Sequence, residues 1–578
     1  MSVTRETLVD TLEEIVLLLE LKGENPFKIR AYRNGSEIVQ NFDGDIVARA
    51  KDNDLKGIKG IGDALQSKLH ELASTGEMTF HTNLKGEFPP TLFDLFELQG
   101  LGAKKIRALY ESLGVDSTPA LKKACEEGAI SQLSGFGKKT VENILKAIEA
   151  KDKFAGQFRH GDLAGIAQVF LQRLQEHPDV SQACICGSFR RGKETSHDLD
   201  FLVATQKPQV LTKYFTTFPE VIDTLAHGDT KASVMVTEKG LQCDIRAVSN
   251  EHFPFAQQYF TGSKEHNVAI RSRAQSRGLS LNEYGFTSLQ ENTELPKVHT
   301  EREIYAELGL HYIEPELREN RGEVEAAEEG SLPNLVELEH LRGTFHNHTT
   351  ASDGKNTLEE MAQAAQDLGL QYLGISDHSR ASFQANGLDA DRLLAQVDEI
   401  RALNAQYEKE KTAFHLFAGS EVDILKDGSL DFSDDILAQL DYAVASIHQP
   451  MSMDEDTMTK RVISAMENPH ITMLGHATGR LLLRRDAYSI NLEKIIDCAA
   501  ETGTVIELNC APKRADLDWR WWKRAAERGV KCSINPDAHS VDGLQNLAFG
   551  VKWARKGWLT RKDVINTMTT SEITEFLR

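Results

Sequence analysis

Residues 187–200 read GSFRRGKETSHDLD, and this stretch decides the fold of the segment around it. It follows the apolar run Ala183–Cys186 and leads into a second apolar run, Phe201–Ala204. Asp198 and Asp200 stand two positions apart, so on a strand both carboxylates point to the same face. The pattern predicts two strands joined by a Gly-Ser turn, with an acidic pair at the start of the second strand.

The acidic pair predicts a metal site beside a phosphate site. Two carboxylates on one face, without a cation of their own, suit an ion that prefers oxygen ligands, Mg²⁺ or Mn²⁺. Nucleotidyl transfer with two metals needs a third carboxylate, which Asp244 supplies within the alternating stretch 241–246. Gly187, Ser188 and Arg191 are placed to hold phosphate through backbone N–H, hydroxyl and guanidinium groups.

This arrangement resembles the palm motif of family X DNA polymerases, the polymerase β group. Downstream segments are similar to the nucleotide- and template-contacting parts of that family: Tyr259–Ser263, Asn267, Arg271 and Asn282–Tyr284. The resemblance implies that Asp198 and Asp200 bind both palm metals and that Asp244 helps to activate the primer 3′-OH. It also implies a set of residues around the incoming nucleotide: Gly187, Ser188, Arg191, His197, Tyr259, Gly262, Asn267 and Arg271.

His197 departs from the family pattern. The family has glycine immediately before the first metal aspartate, where the backbone lies against the triphosphate, and this chain has a histidine there. A side chain at a position of close approach intrudes on the ligand, whereas a protonated imidazole pairs with phosphate. We expect obstruction, because the neighbouring metals disfavour another positive charge.

A short glycine motif occurs three times near the N-terminus. Its copies at 58–62, 98–102 and 133–137 each read apolar, any residue, Gly, apolar, Gly, and each precedes an amphipathic run. The glycines permit a tight turn that presents the N–H groups of the next helix to phosphate. The motif resembles the helix-hairpin-helix, which grips the DNA backbone without reading sequence. The residues predicted to contact DNA are Gly60, Gly62, Gly100, Gly102, Lys104, Lys105, Gly135, Gly137 and Lys138.

Lys68 follows the first of these motifs. At this motif position the polymerase β relatives have the Schiff-base nucleophile that removes a 5′-deoxyribose phosphate, so the resemblance implies a catalytic lysine. That chemistry requires an amine of lowered pKa beside phosphate-binding groups. A helix lysine that is merely solvated is the alternative.

A second group of candidate catalytic residues lies after residue 341. Residues 344–578 alternate short apolar runs with helical patterns, as βα units do, and metal-binding residue types recur at the ends of those runs. Ligands at the carboxyl ends of successive strands converge on one mouth of a barrel. The predicted ligands are His346, His348, Asp353, His378, Glu421, His448, His476, Asp537 and His539.

This ligand set predicts a cluster of metal ions. The mixture of nitrogen and oxygen donors suits Mn²⁺, Zn²⁺ or Fe²⁺, and nine ligands can hold up to three ions. The pattern resembles the PHP (polymerase and histidinol phosphatase) domain, a distorted (β/α)7 barrel with a trinuclear site. The resemblance implies metal-dependent phosphoester hydrolysis.

The whole chain of 578 residues predicts a multidomain protein. An α-helical helix-hairpin-helix N-terminal region precedes an α+β nucleotidyltransferase palm and thumb, and a distorted (β/α)7 PHP barrel forms the C-terminus. The predicted domains are 1–82 (lyase-like), 83–152 (fingers-like, DNA-binding), 153–260 (palm), 261–313 (thumb), 314–334 (a solvated, partly extended acidic linker) and 335–578 (PHP).

Composition and charge limit the cellular compartment and the modes of DNA binding that fit this chain. The formal net charge of −21 argues against tight non-specific coating of DNA. Seven cysteines without a C-x-x-C pair indicate a reduced, cytoplasmic protein. No apolar run reaches the roughly 20 residues of a membrane helix, and no secretory signal is evident. We expect a monomer.

The order of these segments is that of bacterial family X polymerases. The resemblance implies template-directed filling of gapped or nicked DNA with deoxynucleoside triphosphates, and a PHP-domain 3′–5′ exonuclease and abasic-site phosphodiesterase, as in base excision repair. One alternative is a PHP nuclease or phosphoesterase whose polymerase core is weakened by His197. Another is a non-enzymatic scaffold for DNA ends that uses only the three hairpins.

Overall fold

The computed structural model describes residues 3–40, 42, 44–98, 100–237, 239–289 and 295–577. The chain forms two compact units, Met1–Ala155 and Gly156–Arg578. No helix in these ranges combines the length and apolar character that a membrane crossing requires.

The first unit is helical and has two hydrophobic cores. One contains Leu12, Ile15 and Leu69, and the other contains Ile106 and Ile144. Leu12 and Ile15 stand one helical turn apart, so they bury the same face of the first helix. The helices are α1 (Arg5–Lys22), α2 (Pro26–Gln40), α3 (Ile46–Lys51), α4 (Asp63–Thr75), α5 (Thr79–Lys85), α6 (Ala103–Leu113), α7 (Thr118–Glu126) and α8 (Lys138–Lys153).

The three glycine motifs lie directly before α4, α6 and α8. The first glycine of each has a positive φ, 98° at Gly60 and 87° at both Gly100 and Gly135, which only glycine adopts without strain. The second glycine is the N-cap residue of α4 and of α6. Gln99 of the second motif lies outside the described residues.

The second unit begins with a five-stranded sheet in the order β2-β4-β7-β6-β5. Strands β4 and β7 are parallel, whereas the other neighbours are antiparallel. Alternate residues of β4 serve different purposes: Leu199, Phe201 and Val203 enter the core, and Asp198 and Asp200 do not. The elements are β1 (Phe158–Arg159), α9 (His160–Glu176), β2 (Gln182–Ile185), α10 (Gly187–Arg190), β3 (Thr195–Ser196), β4 (Asp198–Ala204), α11 (Pro208–Phe215), β5 (Asp223–His227), β6 (Lys231–Met235), β7 (Gln242–Val248) and α12 (Phe253–Thr261).

A small α+β region follows the sheet. Its elements are α13 (Lys264–Ser276), the hairpin β8 (Leu279–Asn282) and β9 (Gly285–Ser288), and α14 (Glu301–Glu307). A continuous hydrophobic core joins them, from Phe255 through Ile304 to Leu335.

The prediction of a solvated, extended linker at 314–334 is wrong. This segment contains the helix α15 (Glu323–Glu329), and Leu317 and Ala327 belong to the core of the preceding region. Part of its charge is buried and paired: the Glu323 carboxylate lies 2.7 Å from His266 Nδ1, with both side chains fully buried, whereas Glu325 and Glu329 are exposed. Amino-acid composition alone does not show which glutamates of this segment have partners inside the protein.

The remaining chain folds into a seven-stranded parallel barrel, in the order β10 to β16. Backbone pairing of Asn347 with Ala538 brings the first strand beside the last. The strands are β10 (Gly343–Thr344), β11 (Tyr372–Ile375), β12 (His415–Asp423), β13 (Tyr442–Ser446), β14 (Met473–Leu474), β15 (Val505–Asn509) and β16 (Cys532–Asn535). The helices are α16 (Leu358–Asp367), α17 (Ala390–Glu410), α18 (Asp434–Leu437), α19 (Glu455–Met466), α20 (Leu492–Thr502), α21 (Trp519–Glu527), α22 (Leu547–Lys556) and α23 (Thr570–Phe576). The distorted (β/α)7 barrel is confirmed.

One part of the barrel interior is filled by aromatic side chains. Phe345 packs there against Tyr442 and Phe417, whose ring centres lie 4.9 Å and 5.9 Å, respectively, from its own. Gly374 and Gly419 make room for the Tyr442 ring, since a Cβ at either would come within 2.6 Å of it. Because that part of the interior is solid, polar side chains that point inward gather at the carboxyl ends of the strands.

Candidate active sites

The palm carboxylates meet where β4 and β7 run side by side. Asp200 and Asp244 are direct register partners of these parallel strands, and Asp198 precedes Asp200 on the same face. Burial and the charges of Asp198 and Asp244 raise the pKa of Asp200 to about 7. Such crowding of three acids fits a site for divalent cations, which would offset the repulsion.

One cation contacts this acidic group and escaped the sequence analysis. Lys231 Nζ on β6 lies 3.2 Å from Asp244 Oδ2, while Gln242 Nε2 donates a 2.9 Å hydrogen bond to Asp244 Oδ1. A cavity of about 90 Å³ is lined by Asp200, Asp244 and Lys231. An alternation pattern places the acids on a face, but it does not reveal what the neighbouring strand presents to them.

The predicted phosphate loop is fixed tightly around the acids. Gly187 has a φ of 62°, and a Cβ there would lie 2.3 Å from Asp200 Oδ2, so glycine is required. The Ser188 hydroxyl donates a 2.7 Å hydrogen bond to Ser196 Oγ. The loop therefore places its backbone directly against Asp200, the second aspartate of the acidic pair.

Arg191 is held by partners far away in the chain. Its Nε donates to Glu319 at 3.0 Å and its Nη1 donates to the Thr261 carbonyl at 2.6 Å. Lys556 of α22, which is 1% exposed, donates to Glu319 at 2.7 Å and to the Arg191 carbonyl at 2.9 Å. A helix of the barrel thus braces the nucleotide loop, a contact between residues 365 apart that no local pattern signals.

The other predicted nucleotide residues form a connected patch on α12 and α13. Asn267 Nδ2 donates to the Tyr259 carbonyl at 2.7 Å, and Arg271 Nε donates to the Asn267 carbonyl at 3.3 Å. A Cβ on Gly262 would lie 3.2 Å from Arg191 Nη1, which links the patch to the phosphate loop.

The side chain of His197 is exposed at the edge of the acidic group. Its Nδ1 lies 2.9 Å from the Gly156 carbonyl, so a hydrogen bond anchors the ring beside Asp198. The residue that departs from the family pattern therefore has a defined position next to Asp198, the first aspartate of the acidic pair.

In the first unit, Lys68 is half-buried and is not merely solvated. Its Nζ lies 4.5 Å from the centre of the Phe80 ring and 5.4 Å from that of Tyr32, rings that stack in parallel 5.6 Å apart. Lys28 Nζ lies 5.6 Å from the same Phe80 ring. The amines of Lys28 on α2 and Lys68 on α4 therefore share one aromatic surface, to which α5 contributes Phe80.

The lysines predicted to contact DNA behave differently from one another. Lys104 and Lys138 are exposed in the first turns of α6 and α8. Lys105 Nζ donates a 2.9 Å hydrogen bond to the carbonyl of Gly100 and so closes its own turn.

The barrel brings all nine predicted ligands together at the carboxyl ends of its strands. Their donor atoms fall into four overlapping groups: His348, Asp353, His378 and His539; His346, His476 and Asp537; His346, His348 and Glu421; and His378, Glu421 and His448. Glu421 belongs to two groups and lies 2.9 Å from His476 Nε2 and from His378 Nδ1. A cavity of about 500 Å³ opens above these residues.

Buried ring nitrogens show that this cluster fits metal ions. His346 Nε2 and both nitrogens of His348 are buried and make no hydrogen bond to any described residue. Leaving such atoms unpaired is costly unless a ligand satisfies them. Two histidines, by contrast, have their second nitrogen held by a carboxylate, as metal-binding histidines commonly do.

Those two orienting carboxylates escaped the sequence analysis. Glu507 Oε1 lies 2.5 Å from His346 Nδ1, and Asp423 Oδ1 lies 2.9 Å from His448 Nδ1. Burial would lower the pKa of His448, but Glu421 and Asp423 together raise it to about 10. Asp423 follows Glu421 by two residues on β12, so the spacing used for the palm acids would have found it. Glu507 is an acid within the apolar strand β15, a weaker signal.

Comparison with known families covers most of the chain. The matching models are helix-hairpin-helix domain (residues 4–78), SAM-like helix-hairpin-helix tandem (93–150), DNA polymerase beta palm (158–248), DNA polymerase beta thumb (256–319) and PHP domain (344–511). The thumb match includes residues 314–319, in agreement with the folded state of that segment.

Similar proteins include one that matches along its whole length. The DNA polymerase/3'-5' exonuclease PolX of Bacillus subtilis (strain 168) is 38% identical over 575 residues, 99% of each chain. A probable phosphatase of Thermoanaerobacter sp. (strain X514) is 28% identical over 244 residues, which cover 40% of this chain and 93% of the phosphatase. A probable phosphatase of Clostridium acetobutylicum is 27% identical over 257 residues, again 40% of this chain.

Proposed function

Because this chain belongs to the PolX group of family X DNA polymerases, with a C-terminal PHP domain, we propose that it fills short DNA gaps and hydrolyses 3′ ends. The observation that carries the proposal is that one chain brings together two groups of candidate metal ligands, an oxygen-only group on the palm and a histidine-rich group in the barrel. Their donor chemistries differ, so two reactions are expected.

In the palm, the carboxylates of Asp198, Asp200 and Asp244 would hold Mg²⁺ or Mn²⁺. Bound ions would neutralise the charge that develops on the reacting phosphate. Asp244 orients the primer 3′-hydroxyl, whose oxygen attacks the α-phosphorus of the nucleotide and displaces pyrophosphate. Arg191, already oriented by Glu319, supplies a fixed positive charge to the triphosphate.

In the barrel, nine residues would hold Mn²⁺, Zn²⁺ or Fe²⁺, up to three ions, which would supply Lewis-acid activation of the phosphodiester. Hydrolysis adds water across a P–O bond: the P–O3′ bond breaks, the shortened strand keeps a 3′-hydroxyl, and a nucleoside 5′-monophosphate leaves. Glu507 and Asp423 keep His346 and His448 in fixed orientations. Phosphodiester cleavage at abasic sites requires the same groups.

A duplex with a one-nucleotide gap and a labelled primer tests both reactions at once. With deoxynucleoside triphosphates and Mg²⁺ the primer should lengthen by one nucleotide. With Mn²⁺ and no nucleotides it should shorten from its 3′ end. A protein that binds this duplex but does neither would instead be a scaffold for DNA ends.

His197→Gly is expected to lower the KM for deoxynucleotide by about 10-fold, or about 1.4 kcal/mol, because it removes an exposed ring anchored beside Asp198 that would obstruct the triphosphate. Single-nucleotide incorporation kinetics measure the change, and 3′-end hydrolysis should stay the same. His197→Ala, which keeps a Cβ, should have an intermediate effect. A KM that rises in His197→Gly would identify the imidazole as a phosphate contact.

Lys68 supports a second activity, removal of a 5′-deoxyribose phosphate. The Lys68 amine adds to the sugar aldehyde, and the adduct loses water to form an imine. β-Elimination then breaks the C3′–O bond and frees the 5′-phosphorylated DNA strand, and hydrolysis of the imine releases the sugar phosphate and restores the lysine. The half-buried position of Lys68 over Phe80 and Tyr32 favours this role over that of a solvated lysine.

Borohydride trapping on a 5′-incised abasic duplex should yield a covalent adduct with the parent protein. Lys68→Arg should abolish that adduct, because arginine keeps the charge over Phe80 but forms no imine. Lys28→Ala, which removes the other amine over that ring, should retain it. Loss of the adduct in Lys28→Ala alone would assign the nucleophile to Lys28.

A further inference from the structure

An aromatic ring stands uncovered at the wall of the barrel cavity. Phe383 is 78% exposed, and it lines the cavity above the histidine-carboxylate cluster together with Ser382 and Gln384. A phenyl ring left in water beside a polar cavity gains free energy when a flat apolar surface covers it. Aromatic rings placed in this way are typical stacking platforms for nucleic-acid bases.

The loop that carries Phe383 is braced on the candidate metal ligands. The Ser382 hydroxyl donates a 2.6 Å hydrogen bond to Asp423, the carboxylate that orients His448. Further along the loop, the Leu388 N–H donates to the His378 carbonyl at 2.7 Å. The backbone on both sides of the ring is therefore held relative to the candidate ligands, so that only the side-chain torsions of Phe383 remain to be ordered on contact with a substrate.

Positive charge lines the same cavity from other strands of the barrel. Arg485 follows β14, whereas Lys513 and Arg514 follow β15, and all three line the cavity. In the strand order β10 to β16, β15 lies four positions from β11, the strand before Phe383. In a ring of seven strands this places cations and aromatic ring on opposite sides of the mouth, with the ligand cluster between them.

This layout matches the chemistry of one terminal nucleotide. A strand end offers a flat base, a phosphodiester to be cut, and further phosphates on the side away from the 3′ end. An aromatic ring, a metal-binding cluster and a group of cations, in that order, are complementary to those three parts.

We propose that Phe383 stacks on the base of the 3′-terminal nucleotide and that Arg485 and Lys513 hold the phosphates behind it. The terminal phosphodiester then lies over the ligand cluster. This assignment rests on the proposed 3′-end hydrolysis, and it makes Phe383 a positioning residue for that reaction.

Two oligonucleotides that differ only in the 3′-terminal residue test the stacking contact. One ends in thymidine and the other in a tetrahydrofuran abasic analogue, which has no base to stack. The parent protein should hydrolyse the thymidine strand about 10–100-fold more efficiently, the range expected for one base on an aromatic ring. F383L should lose most of this difference through a higher KM, because leucine keeps the apolar volume and lacks a ring face.

Two further variants are controls for that result. F383Y keeps the ring face and should keep the discrimination between the two strands. K513Q removes a phosphate contact, so it should slow hydrolysis of both strands by the same factor. If F383L slowed both strands equally, Phe383 would only support its loop and the proposal would be overturned.

A binding measurement in EDTA gives an independent readout. The probe is a single-stranded oligonucleotide with 2-aminopurine at its 3′ end. The parent protein and F383Y should quench the 2-aminopurine fluorescence, and F383L should quench it much less. Equal quenching by F383L would overturn the proposal. A parent protein that hydrolysed neither strand would refute the hydrolytic function, and the quenching would still decide whether the ring holds the base.

Discussion

Asp200→Asn is expected to lower nucleotide addition on a one-nucleotide gap by about 10³-fold or more while 3′-end hydrolysis stays within about twofold. Asparagine keeps the size of the side chain but removes the charge at the centre of the palm triad. The loss of several kcal/mol of charge stabilisation in the transition state corresponds to this factor. Single-turnover incorporation with Mg²⁺, and shortening of a single strand with Mn²⁺, measure the two reactions on one preparation.

The same substitution should not unfold the palm. Burial, together with repulsion from Asp198 and Asp244, raises the pKa of Asp200 to about 7, so a neutral residue relieves strain in the protein without bound ions. Thermal unfolding should therefore occur at the same or a slightly higher temperature. Loss of both reactions in a protein with an unchanged melting temperature would show that the two ligand sets do not work independently.

Much of both sites was predictable because the relevant signals are local. A period of two places Asp198 and Asp200 on one face wherever that segment is a strand, and the structure has it as β4. Strand-end positions likewise predicted the whole barrel ligand set, since parallel strands of a barrel end at a common mouth. Neither inference required knowledge of which elements pack together.

Other features depend on packing between distant segments and were not predictable. The acidic segment 314–334 is one example: the Glu323 carboxylate is buried 2.7 Å from Nδ1 of His266, 57 residues earlier. Arg318 is 0% exposed and pairs with Glu301, which also receives Arg190 at 2.8 Å. A run of glutamates has the same composition whether its partners are water or buried arginines, so only the tertiary structure decides.

The brace of Lys556 on the nucleotide loop belongs to the same class. A buried lysine requires acceptors for its donors, and here they come from Glu319 and from the Arg191 backbone. The lysine lies in a helix of the hydrolytic barrel, and the loop belongs to the polymerase palm. The palm and the barrel are consequently joined by a buried charge contact.

Glu421→Gln should have the largest effect on hydrolysis, a reduction of about 10³-fold or more, with nucleotide addition retained. Glu421 is 1% exposed and is shared by two of the four ligand groups, so one substitution weakens more than one ion position. Glutamine is isosteric, so packing is preserved while the negative charge that would hold cations among five histidines is lost.

The metal content of the purified variant provides the direct check. Elemental analysis should find fewer transition ions per chain than in the parent protein, and hydrolysis should recover partly at high Mn²⁺ because weakened sites fill by mass action. Asp441 lies outside the ligand groups, so Asp441→Asn is a matched control. This substitution should leave both the metal content and hydrolysis unchanged. Full metal content together with normal hydrolysis in Glu421→Gln would remove Glu421 from the ligand set and, with it, the proposed assignment of the ions in the barrel.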